Sequence, residues 1–210
     1  MIAVLANENL KMELLAQGMS EKATAHWITE AEAFTHYKDA DVYVDLLFQN
    51  DRKRIKLLQQ LQPKTILINA VIPSSDQLPD GFIRFNGWNT FLKRSVVEVA
   101  GIDKEMKSKA EGIFSLFNKK IEWVADISGF ISARVIAMII NEAYFALDEK
   151  VSTKEEIDIA MKLGTNYPYG PFEWSEKIGL KNVYELLFTL SKTNGRYNPA
   201  DLLRKEAISK

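Results

Sequence analysis

Gly129-Phe130-Ile131-Ser132-Ala133-Arg134, Asn141-Glu142-Ala143, Glu156-Ile157-Asp158-Ile159-Ala160-Met161-Lys162-Leu163-Gly164 and Tyr167-Pro168-Tyr169-Gly170-Pro171-Phe172-Glu173 follow one another in the stretch that decides the fold. From Phe130 to Glu149 the residues are mostly apolar at helical spacing, which predicts one long helix. Ser152 or Thr153 ahead of Glu155 and Glu156 reads as a capping box, so a second helix is expected over Thr153 to Leu163. Ile157, Ala160, Met161 and Gly164 fall on one face of it, and their small members predict close helix packing. Gly164, Pro168, Gly170 and Pro171 then interrupt the chain, the prolines fixing a turn that aims the next helix. At least two shorter helices are expected after it, so this half is all-α.

Ahead of Asp126 the pattern alternates between strand and helix. Strands are expected at Ile2 to Leu5, Thr24 to Ile28, Asp41 to Phe48, Thr65 to Ala70, Phe82 to Trp88, Ser95 to Ala100 and Ile121 to Ala125. Helices are expected at Leu10 to Gln17, closed by Gly18, at Asp51 to about Leu61, stopped by Pro63, and at Asp103 to Phe117. Strands alternating with helices argue for a doubly wound parallel sheet. The domain boundary is placed near Asp126, giving an α/β domain over 1–126 and a helical domain over 127–210.

Composition narrows the function classes. A hydrophobic share of 47% with 26% charged residues is an ordinary globular balance and excludes a disordered chain. Lys and Arg are spread along the chain and the formal net charge is -1, so no nucleic-acid footprint is expected. There is no cysteine, which excludes a thiol nucleophile and cysteine-ligated metals and suits a reducing cytoplasm. Two histidines, His26 and His36, make a poor metal site, so no metal is expected. No apolar run reaches the roughly 18 residues of a spanning helix, so no membrane role is expected.

The segment from Ser128 to Trp174, with Leu202-Leu203-Arg204-Lys205 after it, resembles the C-terminal domain of 3-hydroxyacyl-CoA dehydrogenases. There a "GFIxNR" helix start, an "NEA", an "IDxAMKLGxxYPxGPFE" segment and an "LLRK"-like helix occur in the same order. The resemblance implies a reduced Rossmann-like domain ahead of the helical one. It also implies a homodimer through the C-terminal helices, and a helical domain that forms one wall of an acyl-CoA site. The part before Gly129 is shorter than in the family, which implies trimmed loops and a lost helix or helical hairpin.

By the same resemblance, the family's cofactor and catalytic positions are largely overwritten. The "GxGxxG" turn matches Ala6-Asn7-Glu8-Asn9-Leu10-Lys11, where Ala6, Glu8 and Lys11 replace the glycines that let a backbone approach a pyrophosphate. Glu30 is the nearest match to the ribose-binding acid. Gln49 and Arg54 fall where the family has an acid and lysines near the nicotinamide ribose.

In "HFFNPxxxMKLVE" the family's histidine is the general base and the glutamate its partner. Matching on Phe85-Asn86 puts Ile83 at the histidine and Glu98 at the glutamate, with Asn86 and Arg134 near substrate. Ala133 replaces the asparagine of "GFIxNR". Trp88, Phe85 and Phe91 beside Lys93 and Arg94 either pack in the core or cradle an adenine or acyl group. Glu173 and Glu176 read as an exposed acidic face.

An aliphatic side chain cannot move a proton. The expectation is therefore a non-catalytic or strongly diverged homologue, a pseudoenzyme that binds an acyl-CoA-like ligand or a partner. No cofactor is expected on the residues alone, and NAD enters only through the resemblance. The alternative is an active NAD-dependent 3-hydroxyacyl-CoA dehydrogenase of fatty-acid metabolism with a rearranged site.

Overall fold

The computed structural model describes residues 1–100 and 104–209. It divides into two compact units, Met1–Phe130 and Ile131–Lys210. The first is built on a seven-stranded sheet: β1 (Ile2–Leu5), β2 (Ala25–Ile28), β3 (Val42–Asp45), β4 (Thr65–Asn69), β5 (Phe82–Phe85), β6 (Val96–Ala100) and β7 (Lys120–Val124). Their order across the sheet is β2-β1-β3-β4-β5-β6-β7. Every neighbouring pair is parallel except β5 with β6. The expected parallel sheet is thus mixed, because the loop between β5 and β6 carries no crossover helix to return the chain to the starting edge.

Alternation along the strands sorts side chains into two cores. Ile2, Val4, Val44, Leu67, Ile83, Phe85, Val97 and Val99 pack under α1 (Glu8–Leu14) and α3 (Lys104–Leu116). Ala3, Leu5, Tyr43, Ile66, Ile68 and Phe82 pack under a 3-10 turn at Ala31–His36 and under α2 (Arg52–Gln59). Cover on both faces makes the sheet doubly wound.

Several element ends differ from the sequence expectation. α1 begins at Glu8 because the Asn7 side chain caps it, accepting from Leu10 N at 2.9 Å, and its last part tightens to 3-10 over Leu15–Gln17. Strands β3 and β5 stop at Asp45 and Phe85, short of Phe48 and Trp88, where the chain turns into loops. The expected start of α3 at Asp103 lies outside the described residues.

The unit boundary falls after Phe130, beyond Asp126. Gly129 N donates to the Val71 carbonyl at 2.8 Å, and the buried Arg84 guanidinium bonds Asp126 and stacks 4.6 Å from the Phe130 ring. The segment after Asp126 therefore belongs with the sheet.

In the second unit α4 (Ser132–Asp148) packs against α6 (Pro171–Ile178), α7 (Leu180–Ser191) and α8 (Asp201–Ser209), while α5 (Lys154–Thr165) packs against α6. α4 starts at Ser132 rather than Phe130, because Gly129 and Phe130 have φ of 83 and 48°, outside the helical region. Thr153 caps α5 and Glu156 completes the box.

The small residues of α5 do not serve close packing: Ala160 is exposed and Gly164 has open space beside it. The residue that α5 buries is Asp158, whose carboxylate accepts from Phe172 N at 2.8 Å and Glu173 N at 3.1 Å and so caps α6 from a distance. Glu173 is no idle surface acid. It accepts from Gly170 N at 3.0 Å and pairs with Lys162. Among the described residues no helix is long and apolar enough to cross a membrane.

Candidate functional site

After β1 the chain goes to β2 on one side, and β3 then pairs on the other side of β1, so the direction of winding reverses between β1 and β3. In open α/β sheets ligands bind in the crevice beyond the carboxyl ends of the strands at such a switch. A crevice of about 150 Å³ lies here, and its lining includes Leu5, Glu30, Glu32, Gln49 and Arg54. Glu30, Gln49 and Arg54, far apart in sequence, are thus brought to one place.

Arg54 lines the crevice and also has a partner within the fold. Its guanidinium donates to Asp45 Oδ2 at 2.7 Å. Asp45 is fully buried and also accepts from Leu47 N at 3.0 Å. Burial pushes its carboxyl up to about 6 despite the opposing pull of Arg54. The cation foreseen for a cofactor neutralises a buried acid that the sequence reading left unassigned.

The turn after β1 was tested against the dinucleotide that the resemblance implies. Leu10 N is taken by Asn7 Oδ1, and Lys11 N by the Asn7 carbonyl. Ala6 is buried, and the Glu8 side chain stands 81% exposed with its carboxylate 3.6 Å from Lys11 Nζ. A carboxylate beside two phosphates is repulsive, and half-buried Lys11 offsets only part of that. These residues do not fit a bound pyrophosphate.

A second constellation sits where β5 meets β6. Arg84 pairs with Ala100 and Phe85 with Val99 in antiparallel register, and Asn86 N continues the ladder to the Glu98 carbonyl at 2.9 Å. Asn86 and Glu98 therefore face each other on one side of the sheet, and Asn86 Nδ2 donates to Glu98 Oε2 at 2.9 Å. Ile83 has the opposite parity. It is buried in the α1–α3 core with Val97 and Val99, which flank Glu98 but point the other way. Ile83 is therefore not the residue opposite Glu98, and Asn86 is.

The loop between these strands is heavily tied. Asn69 at the end of β4 accepts from Gly87 N at 2.9 Å and donates to the Leu46 and Gly87 carbonyls, both at 3.0 Å. Glu13 of α1 accepts from Thr90 N at 2.8 Å. Buried Lys119 donates to the Leu92 and Arg94 carbonyls at 2.6 and 2.9 Å, and burial pulls its ammonium down to about 8. Trp88, Phe91 and Leu92 are buried, so the aromatics here pack in the core rather than cradle a ligand. Glu13, Asn69 and Lys119 escape a sequence reading because each is a lone polar residue whose partners are remote backbone groups.

Asn86→His is expected to place an imidazole against the Glu98 carboxylate. An opposite charge at hydrogen-bond distance outweighs the burial of position 86 and holds the imidazolium above the free value of about 6.5. With the folded pKa raised, the added stability is complete below about pH 6.5 and is lost as pH rises through the folded value. An NMR titration of the variant checks this: a new imidazole that titrates at or below the free value would show that position 86 does not meet Glu98.

In the helical unit Ala133 is fully buried in α4, and Arg134 stacks 5.4 Å from the Tyr197 ring. His26 lies 5.0 Å from Tyr37, ring to ring, in β2, and His36 ends the 3-10 turn.

Residues 129–208 match the family model of the 3-hydroxyacyl-CoA dehydrogenase C-terminal domain. A 3-hydroxyadipyl-CoA dehydrogenase of Escherichia coli is 44% identical over 92 residues, which is 43% of this chain and 19% of that protein. The crystal structure of (S)-3-hydroxybutyryl-CoA dehydrogenase from Ralstonia eutropha superposes with a TM-score of 0.74 at 20% identity, covering 99% of this chain and 93% of that one. A 3-hydroxybutyryl-CoA dehydrogenase of Clostridioides difficile is 32% identical over 221 residues, spanning 96% of this chain and 78% of that protein. With likeness of that extent through both units, the chain belongs to the 3-hydroxyacyl-CoA dehydrogenase family.

Proposed function

We propose that this chain keeps the family's frame to bind an acyl-CoA-like ligand and does not carry out NAD-dependent hydroxyacyl oxidation. The observation that carries the reading is the Asn86–Glu98 pair. The two residues are 12 apart in sequence, the same separation as histidine and glutamate in the "HFFNPxxxMKLVE" pattern. Asn86, rather than Ile83, then holds the place of the general base. A carboxamide has no titratable proton near neutral pH and cannot take one from a hydroxyl. The Asn7 cap and the Glu8 carboxylate at the turn after β1 point the same way for the cofactor.

A second reading is an active NAD-dependent 3-hydroxyacyl-CoA dehydrogenase with a rearranged site. The 32% identity to the Clostridioides difficile enzyme over nearly the whole chain favours it. The relatives' names span a short uncharged acyl group, 3-hydroxybutyryl, and one that ends in a second carboxylate, 3-hydroxyadipyl. What they share is the 3-hydroxyacyl thioester, and that class is the ligand proposed here. Pairing of two copies through the helical unit belongs to the same proposal, with gel-filtration mass as its check.

Two titrations separate the readings. NADH is expected to leave protein fluorescence and melting temperature unchanged, and no NADH is oxidised when acetoacetyl-CoA is added. Acetoacetyl-CoA alone is expected to raise the melting temperature, since a ligand at a hundred times its Kd stabilises by about 2.7 kcal/mol. Oxidation of NADH by acetoacetyl-CoA would establish the second reading and end the first.

A further inference from the structure

We propose that the helical unit holds a binding site for a small organic ammonium ion, in a cavity of about 480 Å³ walled by α4, α6 and α8. Every lining residue belongs to this unit, and the proposal does not depend on the acyl-thioester reading. Two aromatic rings and two carboxylates define the wall: Tyr144, Phe172, Glu176 and Glu206. Tyr144 and Phe172 meet edge to face, with ring centroids 5.1 Å apart.

An ammonium already meets these groups. Lys154 Nζ lies 5.4 Å from the centroid of each ring and donates to the two Glu206 oxygens at 2.9 and 2.8 Å. Ring faces attract a cation through their quadrupole, and a carboxylate beside them adds its charge. Lys154 opens α5 and its side chain is 37% exposed, so the chain's own ammonium is a replaceable occupant rather than part of the packed core.

The charge around the cavity is not balanced. The Tyr144 hydroxyl donates to Glu206 Oε2 at 2.9 Å. Burial first, then Glu206, and Glu176 less strongly, push that hydroxyl above its ordinary value, so both carboxylates act on one point. Lys154 balances Glu206. Lys181, the other lysine in the lining, is 77% exposed and lies 3.9 Å from Glu185. Among the described residues no cation pairs with Glu176.

No group of three acids or histidines that could hold a metal ion occurs among the described residues. The two aromatic rings instead suit an alkylated ammonium, whose methyl groups pack on a ring while its charge meets the acids.

Isothermal titration of the full chain with choline and with dimethylbutanol, in which carbon replaces the charged nitrogen, tests this. Choline is expected to bind about tenfold more tightly than the alcohol. Lys154→Met removes the resident ammonium and leaves Glu206 to the ligand, so it is expected to tighten choline about tenfold. Glu176→Gln in the parent chain is expected to weaken choline about fivefold. Thermal melts without ligand show that both variants fold.

Equal binding of choline and the alcohol would overturn the proposal by showing an apolar hollow only. Choline affinity unchanged or weakened by Lys154→Met would overturn it too, since the lysine would then not share the ligand's place. So would choline affinity unchanged by Glu176→Gln, or sodium chloride matching choline in its effect on the melts. None of these results bears on acyl-thioester binding, which is read separately with acetoacetyl-CoA.

Discussion

Asp126→Ala is expected to destabilise the sheet unit by about 3–5 kcal/mol, and Arg84→Met by less. Arg84 is 0% exposed in the middle of β5, among apolar strands. Its guanidinium donates to the Ala70 carbonyl at 3.1 Å, approaches the Val71 and Ile127 carbonyls at 3.5 Å, and pairs with the Asp126 carboxylate. Burial pulls its pKa down while Asp126 holds it up, and the ion stays charged.

Removing the carboxylate leaves a buried cation with only neutral acceptors. Removing the cation leaves an acid whose side chain is 28% exposed, can reach water, and still accepts from Ser75 N at 3.2 Å. The order of the two losses follows from that asymmetry. Urea unfolding of each variant, with unchanged m-value, measures it. Equal losses, or a larger loss for Arg84→Met, would show that the pair is not organised around a stranded cation.

The second large effect lies at the start of α6. A Cβ on Gly170 would overlap the Asp158 carboxylate and its Cβ well inside van der Waals contact. Gly170 has φ -73°, so the constraint is space and not backbone conformation. Gly170→Ala is expected to cost about 3 kcal/mol by overpacking. Asp158→Ala, which removes two charge-assisted bonds to the first amides of α6, is expected to cost about 2–4 kcal/mol. The double variant is the sharper measurement. Once Asp158 is gone the clash is gone, so Gly170→Ala in that background is expected to cost less than about 0.5 kcal/mol. Additive losses would mean that the two residues do not compete for one space.

The order of elements was readable from sequence because it rests on local causes. Period-two and helical spacing, Thr153 with Glu156, Pro171 at a helix start and Gly18 at a helix end each act within a few residues. The helical motif, from Gly129 through Glu173, identified the family for the same reason: its turns, caps and breaks lie in order along one short segment.

What the tertiary structure decided is where long-range pairing spends the polar side chains. Arg54, read as a cofactor ligand, neutralises buried Asp45. Asp158, unremarked beside its apolar neighbours, caps a helix that begins 13 positions later at Pro171. Most tellingly, strand register settled which residue meets Glu98. Side chains alternate faces with a period of two, so Ile83 and Asn86 must lie on opposite sides of β5, and only Asn86 can face Glu98. One antiparallel pairing, invisible in the composition of either strand, thus decides which side chain stands opposite Glu98.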